Sequence, residues 1–224
     1  MHTEVPIIYA TDSGGTTIDQ DVYGGNPFAT ALIDLSTATT GSLTTFARRL
    51  RNLTRQRSGN HQNPIWTSLP AGSKWSIAMP AVQRTERRVA LVLIVSEYET
   101  LYPPRLVGAA HDERRISAML AQNGFSVHQG VANNRTSLVR ALRDFSSRAQ
   151  THDSAVIYST GHGVELDNVV YLLPGDYPFV KGYPEPILRK RALSVKDIAQ
   201  SCRATKFNLA FFAGCRTRTH QKPP

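Results

Sequence analysis

Cysteine and long apolar runs are both scarce in this chain. Cys202 and Cys215 are the only cysteines. A small secreted scaffold carries more of them, in pairs, so a disulfide framework is excluded and two free thiols in a reducing, cytoplasmic setting are expected. The longest apolar runs, 89–95 and 209–213, fall far short of a bilayer span. The opening MHTEVPIIYA has no basic stretch followed by a long apolar segment. Neither a membrane anchor nor a signal peptide is therefore expected. Acidic residues are also few, 17 Asp and Glu against 26 Lys and Arg, which leaves a formal net charge of +9. No cluster of His, Cys and carboxylates has metal-ligand spacing, and Asp19 with Asp21 in one loop is thin support for calcium. The Gly-rich stretch GGTTIDQDVYGG lacks the Lys-Ser/Thr of a phosphate-binding loop. No metal and no organic cofactor is implied. Zinc-finger spacing is missing, as is the interleaving of aromatic and basic residues used by RNA-binding sheets. The arginines are spread over 48–57, 84–88 and 189–191, as solvated helix faces would spread them, which argues against nucleic acid as the main partner.

What is present is a core and a pattern. Hydrophobic residues make up 41% of the chain, enough for a buried interior. Residues 6–10 read as a short strand, followed by a Gly-rich loop over 13–25 and helices over 28–35 and 42–56. In the second helix Leu43, Phe46, Leu50 and Leu53 keep helical spacing and Ser42 can cap the start. Segments 64–68 and 75–79 read as strand or loop, and the polar stretch 80–88 as a linker. The unbroken run VALVLIV at 89–95 suits a strand covered on both faces. Helices are predicted over 112–122, 135–149 and 194–203, and strands over 125–131, 155–160, 169–173 and 207–213. Strands alternating with helices predict a three-layer α/β/α sandwich around a mostly parallel sheet.

In such sheets ligands bind beyond the carboxyl ends of the strands. Two strands here run into reactive residues: AVIYST into Gly161-His162-Gly163, and FNLAFFAG into Cys215-Arg216. If these strands are parallel neighbours, an imidazole and a thiol emerge at one edge. A thiolate is the nucleophile, and an adjacent imidazole can take its proton and later protonate the leaving amine. Two glycines beside a histidine suggest no packing purpose, so they are read as letting the backbone approach a substrate carbonyl. The N–H groups of Gly163 and Cys215 are the candidate oxyanion donors. A cysteine at a strand end is also commonly a small buried hydrophobe. Cys202, in SVKDIAQSC, is assigned to the core on that ground.

VALVLIVSEYE, HDERRISAMLAQNGFSV, AVIYSTGHGVELDNVVYLLPGD and KFNLAFFAGCR resemble the large-subunit half of caspase-like cysteine peptidases, including bacterial homologues and metacaspases. Thr160-Gly161-His162-Gly163 matches their histidine motif. Ala213-Gly214-Cys215-Arg216 matches their cysteine motif in the Cys and the Arg, but Ala213 stands where the family carries an acidic residue. IIYATDSGGTTIDQ, GGNPFATALIDL and SLTTFARRLRNLTRQRSGNHQNPIWTSL resemble the small-subunit half, which here comes first. The resemblance thus implies a circularly permuted single domain. Residues 1–79 form the small-subunit-like half, 80–88 a joining linker, and 89–224 the half bearing His162 and Cys215. Because relatives have an exposed, cleavable loop where this chain has its ends, activity without processing is expected.

The resemblance also implies an endopeptidase acting on peptide or protein substrates. In TTID, Asp19 takes the place of the caspases' pocket arginine, and a carboxylate suits Arg or Lys before the scissile bond. Asp12 is a second candidate, and Thr17 and Ile18 would lie along the substrate. Asp19 also fits as a turn or cap residue in a Gly-rich loop. Self-cleavage at Arg84, Arg87 or Arg88 would follow from such specificity. The competing reading is a catalytically silent caspase-like binding module, with Ala213 as its best support.

Overall fold

The computed structural model describes residues 4–37, 41–67, 69, 76–78, 85–100, 105–131, 134–180 and 183–218. Ten strands are described: β1 (Ile7–Tyr9), β2 (Ile65–Trp66), β3 (Arg88–Ile94), β4 (Phe125–Val131), β5 (Ser154–Thr160), β6 (Gly163–Leu166), β7 (Val169–Leu172), β8 (Leu193–Ser194), β9 (Phe207–Phe212) and β10 (Thr217–Arg218). The helices are α1 (Pro27–Asp34), α2 (Leu43–Arg57), α3 (Val107–Gln122), α4 (Arg135–Ala149), α5 (Glu185–Arg191) and α6 (Val195–Ala199). None of the described helices is long and apolar enough to cross a membrane.

The main sheet has the order β2-β1-β9-β5-β3-β4, and only β2 runs antiparallel to its neighbour. β3 sits inside it, which explains its unbroken apolar run: both faces need covering. Val89, Leu91 and Leu93 pack with Leu138, Leu142 and Phe145 of α4 and Val195 and Ile198 of α6. Ala90, Val92 and Ile94 pack on the other side with Phe28 and Leu32 of α1, Leu43 and Leu50 of α2, and Ile116 and Met119 of α3. The period-two alternation of a strand makes two cores from one segment, and the three-layer α/β/α arrangement follows.

Local signals account for several boundaries. Ser42 caps α2 by accepting from the Thr45 N–H. Asn26 caps α1, with Pro27 at its first turn. Asn134 and Ser137 form a reciprocal capping box at α4. A smaller four-stranded sheet, β10-β6-β7-β8, was not expected beyond one hairpin-like strand. Its tight turn uses Asp167 and Asn168 at φ of 49° and 63°, the left-handed pair that suits a two-residue hairpin.

Four expectations need correction. Arg88 does not belong to an exposed linker. It opens β3 and is 4% exposed, donating to the carbonyls of Ser76 (2.6 Å), Ile77 (2.8 Å) and Asn123 (3.0 Å). Arg87 is exposed, and Arg84 lies outside the described residues. Second, α3 begins at Val107, five residues before the predicted start. Third, α6 ends at Ala199, so Cys202 lies just beyond the turn that follows the helix rather than within it. Finally, α5 was not foreseen, because its Pro-flanked segment carries little periodicity.

Candidate active site

β5 and β9 are parallel neighbours, with Ser159 opposite Phe212, so the segments that follow them leave the sheet at one edge. After β5 the chain turns at Gly161, whose φ is 155°. A Cβ there would lie 2.7 Å from Leu172 Cδ1 and 3.1 Å from Val95 Cβ. At Gly163 a Cβ would press into the carbonyl oxygen of Cys215 and lie 2.8 Å from Phe212 Cζ. Both glycines are thus required by packing against protein atoms: Gly161 lets the turn after β5 lie against β7 and the segment after β3, and Gly163 lets β6 lie against the segment after β9. This corrects the reading that gave them no packing purpose.

His162 is fixed from several sides. Its backbone N–H donates to the Tyr98 hydroxyl at 2.7 Å, which in turn donates to the Val95 carbonyl at 3.1 Å. Its carbonyl accepts from Leu173 N–H at 2.9 Å. The imidazole lies against the Tyr98 ring, centroids 4.7 Å apart, with Phe179 edge-on at 6.4 Å. Burial pushes the Tyr98 phenol well above its usual pKa, so it stays neutral and serves as both donor and acceptor.

Cys215 is half-buried. Thr17 donates its backbone N–H to Cys215 Sγ at 3.3 Å, and the Thr17 hydroxyl lies 3.4 Å from the same sulfur. The Gly-rich loop is held there by the next residue, Arg216. Its N–H donates to Gly15 O and its carbonyl accepts from Gly14 N–H. Its guanidinium pairs with buried Glu165 at 3.0 Å, and Glu165 accepts from Ser13 at 2.7 Å.

A cavity of about 90 Å³ opens between these segments. His162, Cys215, Thr17 and Asp19 line it, with Asn26, Leu106, Ala109, Thr160, Gly161 and Ala213. Asp19 is the sole carboxylate among them. Its two oxygens accept the N–H groups of Gly108 (2.9 Å) and Ala109 (3.2 Å). It therefore caps α3 from 89 positions away and still faces the cavity.

Asp12, Ile18 and Gly163 do not line the cavity. Asp12 accepts from Asn63 at 3.1 Å, and Ile18 donates its N–H to Gln62 at 3.1 Å. Both act within the fabric of the loop. Cys202 is buried, and burial raises its thiol pKa strongly. It stays protonated in the core.

Sequence reasoning missed a buried polar network behind the cavity. Asn26 donates its side-chain N–H to Ala213 O (3.3 Å) and its backbone N–H to Asp112 (2.9 Å). Gln62 donates to Asn26 and Ala10 O. Asp112 is fully buried, and that burial pushes its carboxyl up to about 7 despite Arg115 at 3.2 Å. The Asn-Pro cap signal at 26–27 was readable in the sequence. Nothing local marks Gln62, Asp112 or Tyr98.

Compared with models of known protein families, residues 87–223 match the caspase domain, more than half of the 224 residues. A search of curated proteins gave no significant match.

Proposed function

Because the chain belongs to the caspase-domain family of cysteine peptidases, we propose that it is an endopeptidase acting through a His162–Cys215 dyad and cleaving after Arg or Lys. The observation that carries this reading is that His162, Cys215 and a lone carboxylate, Asp19, line one cavity. His162 takes the thiol proton as Cys215 Sγ attacks the scissile carbonyl. It then protonates the departing amine, and water releases the acyl group. The backbone N–H groups of Gly163 and Cys215 receive the developing oxyanion, each donor worth about 2.7–4 kcal/mol in such sites. Gly163 lies just outside the cavity lining and packs against the Cys215 carbonyl oxygen, which sets the two residues of this proposed pair side by side.

The basic preference rests on Asp19. A carboxylate offers about four acceptor positions, and the α3 N–H groups take two of them. The rest can receive a guanidinium or ammonium. Ala213 adds only a methyl to the cavity wall, so Asp19 carries the charge recognition alone. The chain order is read as circularly permuted, since β1, from the first residues, pairs in parallel with β9 beside the cysteine.

A positional peptide library tests the reading. Wild type should hydrolyse substrates with Arg or Lys before the scissile bond, while Cys215→Ala and His162→Ala should be inactive. Asp19→Asn should lose the basic preference while retaining one oxygen for the helix cap. A preference for Asp substrates would refute the specificity. Failure of a peptidyl electrophile ending in Arg to label Cys215 would favour the silent binding module instead.

A further inference from the structure

A second cavity, of about 880 Å³, shares no lining residue with the first. Its volume falls in the range of small-molecule pockets. It is walled by α4, α5 and α6 and floored by β7 and β8. Five cations from three walls face it: Arg135 and Arg143 of α4, Arg189 of α5, Lys196 of α6, and Arg203 just beyond. Asp197 is the sole carboxylate in the lining. Arg189 pairs with Glu185 and Lys196 with Glu4, but all four side chains are at least half exposed, and such pairs are weak and readily exchanged. Among the described residues no carboxylate pairs with the guanidinium of Arg135, Arg143 or Arg203. Like charges held around one concavity repel one another, and a bound polyanion relieves that repulsion.

We propose that this groove binds a small molecule carrying two or more phosphoryl groups. Phosphoryl oxygens match the two-pronged donor geometry of arginine, and several phosphates in one ligand can reach cations on separate walls. A nucleic-acid strand fits less well. The cations come from three walls of a hollow rather than forming a stripe, and among the described residues the one aromatic side chain in the lining, Tyr171, is only 5% exposed, which leaves it no open face for a base to stack on. The proposal does not rest on the peptidase reading.

Calorimetric titration tests it on the whole chain at fixed ionic strength, with tripolyphosphate and ADP as probes. Three proteins are compared: wild type, Arg143→Ala/Arg203→Ala, and a control, Arg48→Ala/Arg49→Ala, on α2. All four arginines are exposed, so folding should survive their replacement. Saturable one-site binding is expected. It should weaken about tenfold or more in the first double variant and stay unchanged in the control. Tighter binding of ADP would identify a nucleoside polyphosphate as the ligand type, and tighter binding of tripolyphosphate a free polyphosphate. No saturable binding, or equal weakening in both variants, overturns the proposal. So does tighter binding of a single-stranded oligonucleotide that depends on Arg143 and Arg203.

Discussion

Removing one partner of the Glu165–Arg216 pair should destabilise the chain sharply. The two side chains are 2% and 8% exposed and meet at 3.0 Å. The guanidinium also donates to Thr11 O at 3.4 Å and lies 4.4 Å from the centre of the Tyr9 ring. Glu165→Gln keeps the shape but leaves a buried cation facing a neutral amide. Breaking a buried pair from one side costs about 3–5 kcal/mol. In a protein of this size each kcal/mol lowers Tm by about 2–4 °C, so a fall of roughly 6–20 °C is expected. Arg216→Met strands the carboxylate instead and should cost a similar amount. The double variant Glu165→Gln/Arg216→Met leaves neither charge unpaired, and its cost should fall well below the sum. Urea unfolding followed by circular dichroism measures all three, provided the slope m stays constant. If the two single losses add within about 0.5 kcal/mol, the residues are not coupled. The Gly-rich loop is then held beside Cys215 by the Arg216 backbone bonds to Gly14 and Gly15 alone, and the ion pair has no part in it.

Tyr98→Phe should cost about 1–3 kcal/mol, because the His162 N–H and the Val95 carbonyl lose their shared hydroxyl. It should also lower kcat more than it raises KM, as misplaced catalytic groups do. An unchanged urea midpoint would contradict it. Asp112→Asn should flatten a pH dependence. Burial raises this carboxyl to about 7, so from about pH 4 to 7 the native chain holds a proton that the unfolded chain has released. Wild-type stability should therefore fall as pH rises through that window, and equal slopes in both proteins would count against the assignment. Gly163→Ala should reduce peptidase activity well beyond any loss of stability, since its methyl would displace the Cys215 backbone. Activity tracking stability alone would show that the close approach has no chemical consequence.

Local chemistry makes much of the architecture readable from the sequence. The Ser42 cap and the spacing of Leu43, Leu50 and Leu53 specify α2 within the segment itself. The run at 89–95 has the composition of a strand with no wet face, and it became an inner strand of the parallel sheet, between β5 and β4. The segments Gly-His-Gly and Gly-Cys-Arg were legible as leaving the sheet on the same side, because a parallel ladder aligns carboxyl ends wherever it forms, and both His162 and Cys215 line one cavity. The remainder was settled by partners far away in the chain. α3 starts at Val107, where Asp19 supplies the acceptors for the N–H groups of Gly108 and Ala109. Arg88 reads as linker charge until three carbonyls from two other segments surround it. Asp12 and Asp19 are both carboxylates in or beside the Gly-rich stretch, yet only Asp19 faces the cavity. Sequence patterns encode what a segment can satisfy through its own periodicity and caps. Which buried donor, acceptor or charge is met from elsewhere depends on how the chain folds back, and that geometry is written in no single stretch of residues.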